Sequence, residues 1–165
     1  MTLLLTSFTT WLPHQKSNSS DDLLEIISTQ YISRNYFLRQ LPVNIDSASN
    51  KAIAIIKQIQ PKGIVCCGMA EYREQLTIES NAIYLENCLQ TTLDLPALIS
   101  QLSYSTISHN AGKFVCEGLY YKILEYLEKS QLSIPCIFVH IPVLHEGNEN
   151  VIVKDFQIIL EYLTN

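Results

Sequence analysis

Residues 61–68 read PKGIVCCG, and the fold prediction for the whole chain starts from this stretch. A Pro-Lys-Gly turn leads into Gly63–Cys67, an apolar run with two β-branched residues and no polar interruption. Such a run between turn residues is typical of a central strand in a parallel sheet, because that strand is buried on both faces. Cys66 and Cys67 are neighbours in this strand, so we expect their side chains to point to opposite faces.

Segments of the same kind alternate with helical patterns on both sides of this strand. The predicted strands are Thr2–Thr6, Tyr36–Leu41, Gly63–Cys67, residues 76–85, Tyr104–Ser108 and Ile134–His140. The predicted helices run from Ser20 to about Ser33, from a cap at Asp46 or Ser47 to about Ile59, and over Pro96–Leu102, Gly112–Ser130 and Val151–Leu163. The alternation predicts an α/β fold: a single domain over residues 1–165 in which helices cover both faces of an open, mostly parallel twisted sheet.

Four loops follow strands of this predicted sheet. They are Thr6–Trp11, Gly68–Glu79, Ser108–Cys116 and His140–Glu146. Ligand sites in open α/β sheets form beyond the carboxyl ends of the strands. We therefore expect these four loops to converge on one site.

The composition argues against several classes of protein. The chain has a net charge of −5, and its 11 Lys and Arg residues are scattered rather than clustered, so no nucleic-acid partner is expected. Its longest apolar runs are too short for a membrane span, and the start of the chain lacks the basic region of a signal peptide. The five cysteines are odd in number and show no CxxC spacing, which predicts free thiols in the cytoplasm, without disulfides or a metal site.

Cys116 is the first candidate for chemistry. It lies near the start of the longest predicted helix, where the helix dipole favours a thiolate, and Gly112 before it allows a tight turn. A thiol nucleophile also needs a base and a group that orients the base; His140 ends a buried strand, and Glu79 lies within the extended segment 76–85. Each residue has a simpler interpretation as well: core packing for Cys116, a structural hydrogen bond for His140 and a solvated position for Glu79.

Three separate motifs resemble those of the type I pyroglutamyl peptidases, also called pyrrolidone-carboxylate peptidases. Residues 107–121, ISHNAGKFVCEGLYY, are similar to the cysteine signature S-N-[ST]-A-G-x-[YF]-[VL]-C of that family. Residues 68–82, GMAEYREQLTIESNA, resemble its glutamate signature G-x-A-x-G-R, and residues 138–144, FVHIPVL, resemble its histidine segment. The spacing of 24 positions between Cys116 and His140 is also that of the family.

The resemblance implies a function. Members of the pyroglutamyl peptidase family remove an N-terminal 5-oxoproline (pyroglutamyl) residue from small peptides. They need no metal or organic cofactor, and they often form oligomers. Cys116 would be the nucleophile, His140 the acid and base, and Glu79 the group that orients the imidazole. The resemblance also implies that four residues bind substrate: Phe8, Trp11, Met69 and Arg73. Phe8 and Trp11 would form an aromatic wall for the flat lactam, with core packing as the alternative for both.

Several positions depart from the family pattern. Tyr72 replaces a glycine, Ser80 replaces an arginine, and only 37 positions separate Glu79 from Cys116, which is a much shorter segment than in the family. The family's D-A-R-I-x-D-N motif, whose arginine assists the oxyanion, is missing. His109 is a candidate replacement cation because it is close to Cys116 in sequence, and a surface or capping histidine is its simpler interpretation. Two further hypotheses follow: a binding or assembly module that has lost turnover, or a related amide hydrolase with altered specificity.

A homo-oligomer, a dimer or a tetramer, is the remaining expectation. Tyr120, Tyr121 and Tyr126 lie close together on the longest predicted helix, and tyrosine is enriched at subunit interfaces. Burial of these side chains within one subunit is the alternative interpretation.

Overall fold

The structure is a computed structural model that describes residues 2–31 and 35–164. Its strands are β1 (Leu3–Phe8), β2 (Tyr36–Leu41), β3 (Gly63–Met69), β4 (Leu76–Glu79), β5 (Asn81–Tyr84), β6 (Asn87–Gln90), β7 (Ser105–Ser108) and β8 (Cys136–Ile141). Its helices are α1 (Ser19–Tyr31), α2 (Ile45–Ile59), α3 (Leu95–Ile99), α4 (Val115–Lys129) and α5 (Glu149–Tyr162).

Six strands form one sheet in the order β2-β1-β3-β8-β4-β7. Neighbouring strands are parallel except at the β8–β4 pair, which is antiparallel, and β5 and β6 form a separate antiparallel hairpin. The mostly parallel sheet is thus confirmed. The loop Ser108–Cys116 leaves the opposite edge of the sheet, because β4 and β7 run against the other four strands. Its residues 111–116 nevertheless line one cavity together with residues of the other three loops, so the expected convergence is confirmed.

Helices cover both faces of the sheet, as predicted. One face packs against α1, α3 and α5, and the other packs against α2 and α4. Cys66 belongs to the cluster under α2 and α4, whereas Cys67 belongs to the cluster on the opposite face, so the predicted opposition of these neighbours is confirmed. The result is a three-layer α/β/α domain.

The helix boundaries differ from the predicted ones for local reasons. α4 begins at Val115 rather than at Gly112, because Gly112 has a φ of +95°, which a right-handed helix does not accommodate. α2 is capped by Asn44 rather than by Asp46 or Ser47, since the Asn44 side chain accepts a hydrogen bond from the Ser47 amide. α1 is described to Tyr31, and its predicted end at Ser33 lies outside the described residues.

The predicted extended segment over residues 76–85 is divided between two sheets. Its first half is β4 in the main sheet, and its second half is β5, which pairs with β6. Ser80 lies between them, donating its amide to Ser108 and accepting a hydrogen bond from the amide of Thr91. The hairpin packs against α4 and so completes the layer that carries Cys116.

Candidate active site

A buried acid–base pair joins β4 and β8. His140 pairs with Thr77 across these antiparallel strands, so Glu79, two residues beyond Thr77, points to the same face of the sheet. His140 Nδ1 lies 2.7 Å from Glu79 Oε1, and both side chains are almost completely buried. The reversed direction of β4 therefore brings together a histidine and a glutamate that are far apart in sequence.

Arg73 holds the same carboxylate from the other side. Its Nη1 donates to Glu79 Oε1 at 2.6 Å and also to the Thr77 hydroxyl, while its Nη2 donates to the Asn110 carbonyl at 3.0 Å. Burial alone would raise the pKa of Glu79, but hydrogen bonds from His140 and Arg73 outweigh it and lower the pKa. Glu79 is thus a carboxylate at neutral pH, and its bound neighbour Nδ1 of His140 carries the proton.

The Cys116 sulfur lies directly over Gly68 of β3. A Cβ atom at Gly68 would be only 2.6 Å from Cys116 Sγ, and Gly68 is the residue opposite His140 in the β3–β8 register. The absence of a side chain at this position therefore lets the thiol approach the sheet beside the imidazole. Cys116 is half-buried and faces the same cavity as His140.

The thiol is protonated at neutral pH. Burial raises the pKa of Cys116 to about 12, with further increases from the nearby Glu79 and Cys66 and a smaller opposing effect of Arg73. The expectation that the helix dipole makes Cys116 a resting thiolate is therefore wrong. The dipole acts at a helix terminus, but here desolvation and a neighbouring carboxylate are stronger.

The backbone amides at the start of α4 are free to bind a group outside the helix. Phe114 precedes the helix without a side-chain cap, and the first bond back to it comes from the Gly118 amide at 3.1 Å. The amides of Val115, Cys116 and Glu117 therefore precede the first intrahelical hydrogen bond. Such amides can stabilise negative charge that develops beside the sulfur.

A cavity of about 850 Å³ opens above Cys116 and His140. Phe8, Trp11, Met69 and Arg73, the four residues predicted to bind substrate, all line it. Phe8 is 2% exposed and belongs to the core beneath the cavity, whereas Trp11 is 52% exposed. Met69 also accepts a hydrogen bond from the Ser19 amide through its sulfur, and the Arg73 guanidinium is bound to Glu79.

The structure adds residues that the sequence argument did not single out for the site. Phe114 is 68% exposed, and its ring lies 5.7 Å from that of Trp11, so the two aromatic side chains stand together at the cavity. Lys113 lines the cavity beside it. The Tyr120 hydroxyl donates to the Glu79 carbonyl at 3.2 Å, which links α4 to β4. The aromatic position at Phe114 is part of the motif and could have been assigned from it.

For His109 and for the tyrosines of α4, the structure agrees with the simpler of the two interpretations. His109 does not line this cavity; its Nδ1 bonds the Ser80 hydroxyl at 2.7 Å, next to a second surface cavity. Tyr120 and Tyr121 do not form an exposed patch for a second subunit, because both are buried against the β sheet and the hairpin in this chain. Tyr126 is half-buried and packs against the same cluster.

Within residues 2–31 and 35–164, no group of three or more His, Cys, Asp or Glu side chains is arranged to hold a metal ion. Every helix in that part of the chain is too short or too polar to span a bilayer.

Comparison with known proteins connects this fold and site to one family. A sequence model described as pyroglutamyl peptidase matches residues 95–157, a region that includes Cys116 and His140. Pyrrolidone-carboxylate peptidase 1 of Caldanaerobacter subterraneus subsp. tengcongensis is 26% identical over 172 aligned residues, which cover 88% of this chain and 84% of the relative. A pyrrolidone-carboxylate peptidase of Bacillus mycoides is 28% identical over 68% of this chain.

Solved structures share the fold over almost the whole chain. Pyroglutamyl peptidase I from Bacillus amyloliquefaciens has a TM-score of 0.84 at 21% identity and covers 99% of this chain and 97% of that one. A mutant pyrrolidone carboxyl peptidase from Pyrococcus furiosus also has a TM-score of 0.84, at 18% identity, with coverage of 99% and 98%.

The fold and cavity define a three-layer α/β protein with a cysteine, a histidine and a glutamate gathered at one site. Within that class, the family model, the curated relatives and the shared fold agree. The chain is therefore similar to pyroglutamyl peptidases in part of its sequence and in its fold.

Proposed function

We propose that this protein is a cysteine peptidase that removes an N-terminal pyroglutamyl residue from peptides. The observation that carries the proposal is the Glu79–His140 hydrogen bond of 2.7 Å beside the thiol of Cys116, at the base of one cavity. The names of the relatives, which are pyroglutamyl or pyrrolidone-carboxylate peptidases, support the choice of substrate.

In the proposed reaction, Cys116 Sγ attacks the carbonyl carbon between 5-oxoproline and the next residue. His140 Nε2 takes the thiol proton as the carbon–sulfur bond forms, since Glu79 keeps the proton of the ring on Nδ1. The imidazolium then donates its proton to the leaving amine, the carbon–nitrogen bond breaks, and a thioester remains. Water, deprotonated by His140, hydrolyses the thioester to free 5-oxoproline and the Cys116 thiol.

The raised pKa of Cys116 places a condition on this scheme. With a pKa of about 12, the thiol loses its proton only as it attacks, so proton transfer to His140 and nucleophilic attack belong to one step. The negative charge on the substrate oxygen would be held by the free amides at the start of α4. These amides take the part that the family's missing arginine would otherwise share.

The substrate lactam is flat and carries no charge, so it suits an aromatic wall. Trp11 and Phe114 offer exposed rings 5.7 Å apart, and Phe8 and Met69 line the same cavity. Arg73, which the resemblance places among substrate ligands, is better assigned to positioning, because its guanidinium is bonded to Glu79 and to the Asn110 carbonyl.

One observation favours a second candidate function. A thiol with a pKa of about 12 is a weak nucleophile until a base acts on it, which suits a binding module that has lost turnover. Such a module would bind 5-oxoproline or a pyroglutamyl peptide and release no product.

Turnover of a pyroglutamyl amide that releases a fluorescent amine separates the two candidates. We expect release by the parent protein, and a loss of at least about a thousandfold in Cys116→Ala and in His140→Ala. Cys88→Ala is the matched control, because Cys88 is an exposed free thiol that does not line the cavity. Equal release by the parent and Cys116→Ala contradicts the peptidase mechanism; binding without release by any of them supports the binding module.

The free thiols and the family resemblance also support proposals for location and assembly. Five free thiols, three of them buried, support a reducing compartment such as the cytoplasm. A dimer or tetramer remains a proposal from the resemblance, and sedimentation of the purified protein tests it.

A further inference from the structure

The cavity is larger than the lactam needs. Its volume of about 850 Å³ is in the range of cavities that enclose ligands several times larger than one five-membered ring. If the ring lies at Trp11 and Phe114, the remaining space belongs to the leaving group, the peptide that follows the scissile bond. The charges on the cavity wall then decide which leaving groups are accepted.

Two of the four Asp, Glu, Lys and Arg side chains that line the cavity already have partners within the chain. Glu71 accepts hydrogen bonds from His14 and Gln15, and Arg73 donates to Glu79. Among residues 2–31 and 35–164, no ion pair involves Lys113 or Asp46. These two residues offer the unpaired charges that a ligand in this cavity would meet.

Lys113 is well placed to meet the leaving group. It follows Gly112, whose φ of +95° turns the chain, and it comes three residues before Cys116 on the segment that enters α4. Its long flexible side chain, exposed to solvent, carries a point charge that can follow a carboxylate into slightly different positions.

The substrate supplies the complementary charge. The amine of a pyroglutamyl peptide is closed into the lactam, so a dipeptide of this kind with a neutral side chain carries one charge, its terminal carboxylate. In a dipeptide that carboxylate is attached to the carbon next to the leaving nitrogen, close to the cysteine. Asp46 has no cation to bind in such a molecule.

We propose that Lys113 binds the terminal carboxylate of the leaving group and makes pyroglutamyl dipeptides with a free carboxyl terminus the preferred substrates. This inference rests on the proposed peptidase function and deepens it. A different role for Lys113, stabilisation of the oxyanion, has a different kinetic signature, because it would lower kcat for every substrate.

The test compares pyroglutamyl-alanine with pyroglutamyl-alanine amide, which differ in one charge. In Lys113→Gln we expect KM for the free acid to rise about five- to tenfold with kcat unchanged, whereas the amide shifts less than about twofold. Lys113→Arg should retain most of the preference, since it keeps the cation. Lys51→Gln is the matched control, an exposed lysine of α2 outside the cavity.

Other outcomes overturn the inference. Equal losses on both substrates in Lys113→Gln point to the oxyanion or to the fold. Asp46→Asn gives a further comparison. If it lowers KM for the free acid as much as Lys113→Gln raises it, the preference comes from the overall electrostatic potential of the cavity rather than from direct contact between Lys113 and the carboxylate.

A second readout keeps the two proposals separate. Calorimetry on Cys116→Ser measures binding of both peptides without turnover, and the Lys113→Gln change in this background should weaken binding of the free acid alone. If the parent cleaves neither peptide while this selective binding persists, the peptidase proposal fails and the role of Lys113 stands. If the parent cleaves both equally well, the role of Lys113 fails and the peptidase proposal stands.

Discussion

Glu79 Oε1 accepts hydrogen bonds from both His140 and Arg73. Glu79 Oε2 is also buried, but it has no hydrogen-bond partner within the described residues. The carboxylate charge is thereby concentrated on the side of the donors. The same charge acts on Cys116, where it opposes the thiolate. At this site a single anion therefore orients the imidazole and makes the thiol a weaker acid.

Alkylation of Cys116 by iodoacetamide tests this balance. We expect slow reaction at pH 7 and a rate that continues to increase above pH 9, because the pKa of the thiol is about 12. Glu79→Gln should increase alkylation at pH 8, since removing the carboxylate charge lowers the pKa of Cys116, even as peptidase turnover falls. The measurement is mass spectrometry of the Cys116 peptide in a Cys88→Ser background, because Cys88 is exposed and reacts as well. Half-maximal alkylation near pH 7 contradicts the expectation.

Gly68 provides a steric test at the same scale. In Gly68→Ala the new methyl group would meet Cys116 Sγ at 2.6 Å and the Phe138 ring at 2.9 Å, so the thiol must rotate away from His140. We expect at least a hundredfold loss of turnover, with a loss of about 1–3 kcal/mol in the free energy of unfolding, measured by urea denaturation. Gly147→Ala is the control, because its methyl group meets only the exposed His145 ring at 3.1 Å. Full activity of Gly68→Ala would mean that the sulfur has another working position.

At the scale of elements, the sequence predicted most strands and helices but not their exact limits or directions. GIVCC and IPCIFVH are continuous apolar runs, and both form buried central strands, β3 and β8. The reversal of β4 and β7 could not be deduced, because a strand of four residues carries no mark of its direction and the reversal depends on which neighbour it pairs with. The hydrogen bond between Arg73 and Glu79 could not be predicted either, because it depends on the direction of β4.

The cap of α2 is an element-scale prediction. The Asn44 side chain accepts from the Ser47 amide at 2.9 Å, so Asn44→Ala leaves that amide without its partner. We expect a loss of about 1 kcal/mol in the free energy of unfolding, read from urea denaturation. Ser47→Ala, the cap expected from sequence, should change stability much less, because its side chain does not cap the helix. The opposite order of the two variants contradicts the assignment.

At the scale of the whole molecule, the candidate site forms where the helix layer that carries Cys116 packs against the sheet that carries His140 and Glu79. Cys116 comes from a helix, His140 and Glu79 from two antiparallel strands, and Arg73 from a loop that also reaches Asn110. The motifs identified the first three residues, since each motif retains local spacing. They did not identify Lys113 or the protonated state of the thiol, because charge and burial depend on what the rest of the fold places around a residue.

A second buried carboxylate, outside the cavity lining, joins three elements. Asp21 of α1 accepts from the Ser7 hydroxyl of β1 at 2.6 Å and from Arg39 of β2 at 2.8 and 2.9 Å, with Gln40 at 3.0 Å. Burial alone would raise the pKa of Asp21, but the bonds from Arg39, Ser7 and Gln40 lower it below its usual value of 3.8. The carboxylate therefore stabilises the edge of the sheet only while it is ionised.

Acidification should remove this contribution. Because the folded-state pKa of Asp21 is lower than its value in the unfolded chain, its stabilisation is complete above about pH 4 and is lost as the pH falls through the folded-state value. We expect the parent to exceed Asp21→Asn by about 2 kcal/mol in the free energy of unfolding at pH 7, and the gap to narrow by pH 3, in urea titrations at both values. Asp22→Asn, in the same turn of α1, should show a smaller gap at pH 7, since within residues 2–31 and 35–164 the Asp22 side chain bonds only the exposed Ser17 hydroxyl. A gap for Asp21→Asn that is unchanged at pH 3 would mean that the cluster acts through packing and hydrogen-bond geometry rather than through its charge.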